Sequence, residues 1–558
     1  MYTLNARLEA GGGDIVCNTF DNDYFTFTLN ETLSGFTGTL MAKKAINMKE
    51  FSLSTERRFT TEDLFFANGW QSWSLSQEYR KSDTTTDYLR RPSLFRHGRK
   101  LAALYGDYAF TSYGKPGVFH SWTYTYFRKS GSHFIELYGS RSEQNGFTGF
   151  EVDMQNGRFT VFKDIDGLKL EAGQQYLVFD VCRIEDKYNR AFRQYFFSFI
   201  HLRQPRVERF AGYTSWYNTE HKLNEKILLR DLDGLDRVKD EVRIVQIDQG
   251  YEKAVGDWLL PNKKKFPHGL HAAVEKIHAK GYKAGLWIAP FCAQVNSKLA
   301  RQHPDWLLRD AATGKKMLVH GGWGGAYALD IYNSEVRDYL AEVFHTVLEE
   351  WKFDAVKLDF LYAACVQPRQ GKTRGQLMCE AVDFLRVLCG DKLILGCGVP
   401  LGACWGTFDS CRIGPDASLD FRGSLRSRHM MNDEFPSTRT AIVNAVFRRG
   451  LDGCAFANDP DVFFLRHDDV KYSLPQKLLL ARINDITSSV LFISDNVAEY
   501  DDRELRYLRY FFREKGTRPR YAEFESEDQL KIVFTEEGEE KILRLNLKTG
   551  DSNVVECM

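Results

Sequence analysis

The 558-residue sequence has no excess of charge of either sign, since Lys+Arg 75 balance Asp+Glu 75. That balance removes the electrostatic reason to expect nucleic acid or an anionic membrane as a partner. No run approaches the roughly 18 apolar residues of a membrane span, and Met1 to Gly13 has no basic stretch leading into an apolar one. With neither a span nor an export signal, the expected location is cytoplasmic. Closely paired cysteines are also missing. The cysteines number 11, an odd count, and Cys389, Cys397, Cys404 and Cys411 are separated by six or seven residues. They read as reduced thiols rather than a disulfide framework, and structural zinc uses shorter paired spacings. No metal and no cofactor is expected. Internal repeats and low-complexity segments are absent too.

Aromatic residues, in contrast, are plentiful at 14%, with Phe 41, Tyr 26 and Trp 10. Such an excess suits sugar-binding clefts and, more commonly, β-rich cores, where large rings bury much area. The length exceeds one core's usual reach, so a multidomain chain is expected. Residues 1–205 read as an N-terminal antiparallel β-sandwich. Short β-branched and aromatic runs such as Tyr24 to Leu29 follow each other closely, and Asn156-Gly157 predicts a two-residue hairpin between Phe150–Met154 and Phe159–Phe162. Helical periodicity is nearly missing there until Lys187 to Ile200, and Gln204-Pro205 marks the exit.

From Phe210 short apolar strands alternate with amphipathic helices, the pattern of parallel βαβ units. Candidate strands lie near Phe210–Ser215, Val242–Asp248, Tyr282–Ile288, Ala355–Asp359, Leu393–Cys397, Cys411–Gly414, Gly453–Ala457 and Val490–Ser494. Eight strands over about 285 residues favour a central (β/α)8 TIM barrel, residues 206–498, over a doubly wound sheet. A small C-terminal β-domain, residues 499–558, is expected around the Glu536-Glu537-Gly538 turn.

In a barrel, reactive groups gather at the C-terminal ends of the strands. The polar residues there are Trp216, Asp248, Trp287, Lys357 with Asp359, Cys397, and Arg412 with Asp416. Paired carboxyl groups with cations and indoles form a glycosidase inventory, because oxocarbenium chemistry needs two carboxyls and sugars bind by hydrogen bonds and stacking. Each member has a duller explanation: Asp248 as a helix cap, Arg412 with Asp416 as a surface ion pair, Trp70 and Trp73 as β-core packing. Lys357 differs, since it shares a strand face with Asp359 and an ammonium inside a barrel must be paired.

Seven stretches in order resemble the melibiase-type α-galactosidases of glycoside hydrolase family 36, notably the shorter bacterial and thermophile members. They are Gly69-Trp70-Gln71-Ser72-Trp73, Trp216-Tyr217, Gln246-Ile247-Asp248 with Gly256-Asp257-Trp258-Leu259, Leu286 to Phe291, Val356 to Phe360, Gly396-Cys397-Gly398 and Arg412 to Asp416. The resemblance implies a retaining exo-α-glycosidase that releases terminal galactose, with Asp359 as nucleophile and Asp416 as acid/base. It implies a sugar site made by Asp248, Lys357, Trp287 and Trp216, with Cys397 and Gly398 against the 2-position and Arg412 bonding sugar hydroxyls or orienting Asp416. Trp70 would sit in a loop that reaches the barrel mouth of its own or a neighbouring subunit, which leaves a homo-oligomer open. An oligosaccharide or glycoside is the implied partner. One position departs: Gln249 stands where the family usually has a second aspartate. That substitution keeps a modified galactoside (N-acetylgalactosamine, galactosamine or an acidic galactoside) as an alternative substrate. A non-catalytic sugar-binding barrel is the remaining alternative.

Overall fold

The computed structural model describes residues 2–85, 114–423 and 436–557, together with the helical positions 101, 103, 104 and 106. The chain divides into two compact units: Met1–Arg203 with Cys365–Asp383 and Pro400–Trp405, and Gln204–Ala364 with Phe384–Val399 and Gly406–Met558.

The first unit holds two seven-stranded sheets in which every pairing is antiparallel. Along Thr3–Ala10 the buried residues Leu4, Ala6 and Leu8 alternate with exposed ones, the period of a strand with one face on a core. One apolar cluster joins both sheets. At its centre the ring of Phe51, from one sheet, lies 4.9 Å from Phe27 and 5.9 Å from Phe179, both from the other. The aromatic surplus of this half of the chain is therefore largely core, each buried ring contributing roughly 1.5–3 kcal/mol. The hairpin expected at Asn156-Gly157 forms with a four-residue loop instead of a two-residue one, because Asp153 pairs with Arg158. The cause is local: the Asp153 carboxylate accepts from both the backbone N–H (2.9 Å) and the side-chain amide (2.8 Å) of Asn156.

The second unit contains a parallel sheet with strands β1 (Phe210–Thr214), β2 (Val242–Ile247), β3 (Lys283–Ile288), β4 (Ala355–Leu358), β5 (Leu393–Gly396), β6 (Ser410–Arg412), β7 (Ala457–Asp459), β8 (Val462–Phe463) and β9 (Val490–Ile493). Their order across the sheet is β7-β6-β5-β4-β3-β2-β1-β9-β8. The two edge strands, β7 and β8, are consecutive in the chain, so the sheet curls round to bring its ends together. Seven of the eight expected strands lie within a residue or two of their expected places. The strand expected at Gly453–Ala457 begins only at Ala457, because Gly453 adopts φ +66° in a turn and the Asp452 carboxylate captures the N–H groups of Asn458 and Ser489. That strand is then split by Pro460, which has no N–H to donate, and by Asp461, at φ +80°.

Helices between the strands start where the sequence supplies acceptors. Asn333 caps Ser334–His345 by accepting from the Glu335 N–H at 2.9 Å, and Ser473 with Gln476 forms a capping box on Leu474–Thr487. The C-terminal strands Arg518–Phe524, Gln529–Glu536 and Glu539–Asn546 form a three-stranded antiparallel sheet in the same unit. Its tight turn is the expected one, with Glu537 and Gly538 both at positive φ. No helix among the described residues is long and apolar enough to cross a membrane.

Candidate active site

Asp359 follows the last residue of β4 and is 7% exposed. Three donors hold its carboxylate. The Trp287 indole N–H reaches one oxygen at 3.0 Å, the backbone N–H of Phe360 reaches the other at 2.8 Å, and the Cys397 thiol adds a third bond. Phe360 adopts φ +55°, a left-handed conformation uncommon for a bulky residue, which turns its N–H back onto Asp359. Burial pushes the Asp359 carboxyl above its usual range, while Lys357 and the Trp287 and Cys397 bonds pull it down and the Asp416 charge pushes it up again.

Lys357 lies on the same face of β4, two residues earlier, and its ammonium donates to Asp248 at 2.9 Å. Burial alone would lower this lysine, but the carboxylates of Asp248 and Asp359 hold it above its ordinary value, so it stays cationic. Asp248, just after β2, also accepts from Gln246 (2.9 Å) and Thr214 (3.4 Å). Gln246, Thr214, Asp248 and Lys357 thus form a buried polar chain across β1, β2 and β4. Asp248 is not a helix cap here.

Arg412 ends β6 and is buried, so its pairing with Asp416 is not a simple surface contact. Its guanidinium lies 2.9 Å from an Asp416 oxygen and 3.3 Å from an oxygen of Asp461. Asp416, four residues on, keeps 38% of its side chain exposed. Of the two carboxyls singled out by the sequence, one is therefore enclosed in donors and the other is open.

The remaining expected residues fall into three groups. Trp287 and Cys397 touch Asp359 directly, as above. Gln249 is 7% exposed, its backbone N–H donates to Asp248, and among the described residues neither of its side-chain amide atoms has a hydrogen bond. Trp216, half-buried in the turn after β1, meets His221 edge to face at 5.3 Å, and Gly398 adopts φ +58° with its carbonyl bonded by the Tyr362 N–H. Trp70 belongs to the first unit. It is 3% exposed there, edge to face with Phe147 at 5.9 Å and with the Arg374 guanidinium 5.2 Å from its ring.

Sequence reasoning gave no role to Tyr217 and Trp258, although both lie in the quoted stretches, and missed Asp459 and Asp461. Trp258 supports Trp287 edge to face at 5.8 Å. Asp459 is the cross-strand partner of Arg412, and Asp461 receives the Tyr217 hydroxyl and the Ala417 N–H. The signal that would have found the acids is Asp459-Pro460-Asp461, two carboxyls flanking a proline at the end of a strand.

Three comparisons bear on this arrangement. The family model described as Melibiase matches residues 246–376. Among curated proteins, the chain is 28% identical over 242 residues to alpha-galactosidase Mel36A of Lactobacillus acidophilus, covering 40% of this chain and 32% of that protein. It is 31% identical over 129 residues to alpha-galactosidase AgaA of Geobacillus stearothermophilus, covering 21% and 16%. The matches thus span about a third or less of these curated relatives. Among solved structures, the alpha-galactosidase TtGalA of Thermus thermophilus, in complex with p-nitrophenyl alpha-D-galactopyranoside, is 25% identical with a TM-score of 0.70, covering 96% of this chain and 98% of that one. The GH36 alpha-galactosidase AgaA of Geobacillus stearothermophilus shares the fold at 13% identity, with a TM-score of 0.62 over 97% of this chain and 81% of that one. Family model, curated relatives and solved structures thus agree in what the chain is similar to: the Melibiase-type alpha-galactosidases, in sequence over residues 246–376 and in fold over nearly its whole length.

Proposed function

We propose that the protein is a retaining exo-α-galactosidase that hydrolyses terminal α-linked galactose by double displacement. The observation that carries this reading is the contrast between two carboxyls at the same edge of one sheet: Asp359, buried and clamped by three donors, and Asp416, part-exposed and bonded by Arg412. Asp359 attacks the anomeric carbon as the aglycone oxygen leaves with a proton from Asp416. Asp416 then takes a proton from water, which releases the sugar from Asp359. The clamp on Asp359 orients the attacking oxygen, and Lys357 favours its ionised form against the push of burial. Asp248 and Lys357 present an acceptor and a donor to sugar hydroxyls. Trp216, Gly398 and Arg412 complete the proposed binding set.

The same reading takes the curled sheet as a closed (β/α)8 barrel spanning 206–498, preceded by a β-sandwich over 1–205 and followed by a small β-domain over 499–558. The consecutive edge strands β7 and β8 and the apolar cluster shared by two antiparallel sheets support it.

The test is turnover of 4-nitrophenyl α-galactopyranoside by Asp359→Gly. Activity is expected to vanish and to return with added azide as an azido-sugar. Full activity of the variant without azide removes the assignment. The Gln249 amide would tune how tightly that galactose is held. It offers a free donor and a neutral acceptor where a carboxylate would accept charged hydrogen bonds.

A further inference from the structure

Two bulky aromatic residues near the candidate nucleophile hold left-handed backbones, Trp323 at φ +58° and Phe360 at φ +55°, and their rings lie 4.9 Å apart. Large side chains rarely take that conformation, and it persists only where the surroundings fix it. Phe360 has its reason in the bond from its N–H to Asp359. Trp323 takes no part in the chemistry described above.

Beyond the C-terminal end of β3 the chain builds a three-stranded antiparallel ribbon from Cys292–Gln294, Leu318–His320 and Ala326–Ala328. The loop Gly321-Gly322-Trp323-Gly324-Gly325 joins its last two strands, where two residues would suffice. The loop is fixed by its backbone. The Gln294 amide donates to the Trp323 carbonyl at 2.8 Å, the Val295 N–H to the Gly325 carbonyl at 3.0 Å and the Gly325 N–H to the Gly322 carbonyl at 2.8 Å. Position 322 needs glycine, since an added Cβ would come within 2.3 Å of the His320 ring. With glycine on every side, the one side chain this loop presents is the indole of Trp323.

That indole stands beside the Asp359 clamp. It meets Trp287, the donor to Asp359, edge to face at 6.1 Å, and His320 at 4.5 Å. Trp287 is 2% exposed, whereas Trp323 is part-exposed, and among the described residues the Trp323 indole N–H has no hydrogen bond. The buried Asp248 and Lys357 take the inner end of the galactose in the reading above, so the anomeric carbon and its leaving group point outward. A flat apolar ring at that level, held on a fixed loop, is suited to stack on what leaves.

We propose that Trp323 is the platform for the leaving group: the flat face of a pyranose or aryl ring bonded to the anomeric oxygen stacks on its indole, so that the enzyme selects ring aglycones over small ones. The inference rests on the α-galactosidase reading and deepens it by naming the class of leaving group.

The experiment compares kcat/KM of the wild type, Trp323→Gly, Trp323→Leu and Trp323→Tyr on four substrates. Two have ring leaving groups, 4-nitrophenyl α-galactopyranoside and the disaccharide α-galactosyl-(1→6)-glucose. Two do not, α-galactosyl fluoride and methyl α-galactopyranoside. Each pair holds one leaving group that needs a proton and one that does not, so acid catalysis cannot mimic the pattern. Glycine relieves the left-handed backbone, leucine fills the place without a flat ring if the glycine variant fails to fold, and tyrosine keeps a ring. Trp323→Gly and Trp323→Leu are expected to lose about tenfold on both ring substrates and less than about twofold on the other two, and Trp323→Tyr should recover most of the loss. An equal loss on all four substrates overturns the proposal, because the ring would then act on Asp359 through Phe360 or Trp287. No loss on any of them overturns it as well. Wild-type turnover of α-galactosyl fluoride that disappears in Asp359→Gly upholds the α-galactosidase reading whatever the Trp323 variants do. A wild type that leaves all four substrates intact removes that reading, and this inference with it.

Discussion

Replacing Lys357 with Met keeps most of the side-chain stem and deletes a cation that donates to Asp248 and whose charge also acts on Asp359. Lys357 is raised in the folded protein, so its contribution to stability is fully present below about 10.5, its ordinary value, and is lost only above that. Between pH 5 and 8 it is constant. Asp359 is raised as well. Its favourable contribution is therefore present below about 3.8 and is lost as pH rises through its folded value, so the ionised form burdens the native state at neutrality. Lys357 eases that burden. In Lys357→Met two buried carboxylates lose their counter-ion, and breaking such a pair costs about 3–5 kcal/mol. The Asp359 carboxyl should rise further, because the largest pull toward its charged form is gone. The destabilisation should then be larger at pH 7 than at pH 5, since acid favours the protonated, uncharged Asp359. The acid limb of kcat/KM should move up over the same interval. Urea unfolding followed by tryptophan fluorescence at the two pH values, with a pH-rate profile, measures both. An equal penalty at both pH values together with an unmoved acid limb would refute the claim that Lys357 holds the charge on Asp359.

Gln249→Asp should raise kcat/KM for an unmodified α-galactoside by roughly ten- to a hundredfold, the worth of a charged hydrogen bond over a neutral one. Equal ratios of kcat/KM across plain, 4-modified and 6-modified galactosides in parent and variant would remove the role of Gln249 in specificity. Glu536 accepts two bonds from the fully buried Arg482 and one from Lys541, which hold its carboxyl down at about 2 against the push of burial. Its contribution is present above about 4.5 and is lost as pH falls toward 2, so Glu536→Gln should cost about 3 kcal/mol or more at pH 7 and progressively less in acid. Denaturant midpoints at pH 7 and about pH 3 check this, and a gap that does not narrow would count against it.

The sequence by itself determined what depends on neighbours in the chain. Strands β1 to β6 and β9 were legible because each is a short apolar run bounded by turn residues, and the Ser334–His345 helix because Asn333 and the spacing of Val336, Leu340, Val343 and Phe344 declare it. Lys357 and Asp359 sharing one face follows from the two-residue period of a strand. Asp359 and Asp416 were legible as candidates because they end or follow such strands. The tertiary structure decided everything that joins residues far apart in the chain. Asp248 as the partner of Lys357, Trp287 as the donor to Asp359, and Tyr217 as the donor to Asp461 link positions 109, 72 and 244 residues apart. No local pattern encodes those pairings, because they arise only when a curled sheet brings the ends of separate strands to one edge. The same closure explains why β7 was misplaced: Gly453, Pro460 and the left-handed Asp461 bend the chain there, so that one segment pairs with β6 on one side and with β9 on the other.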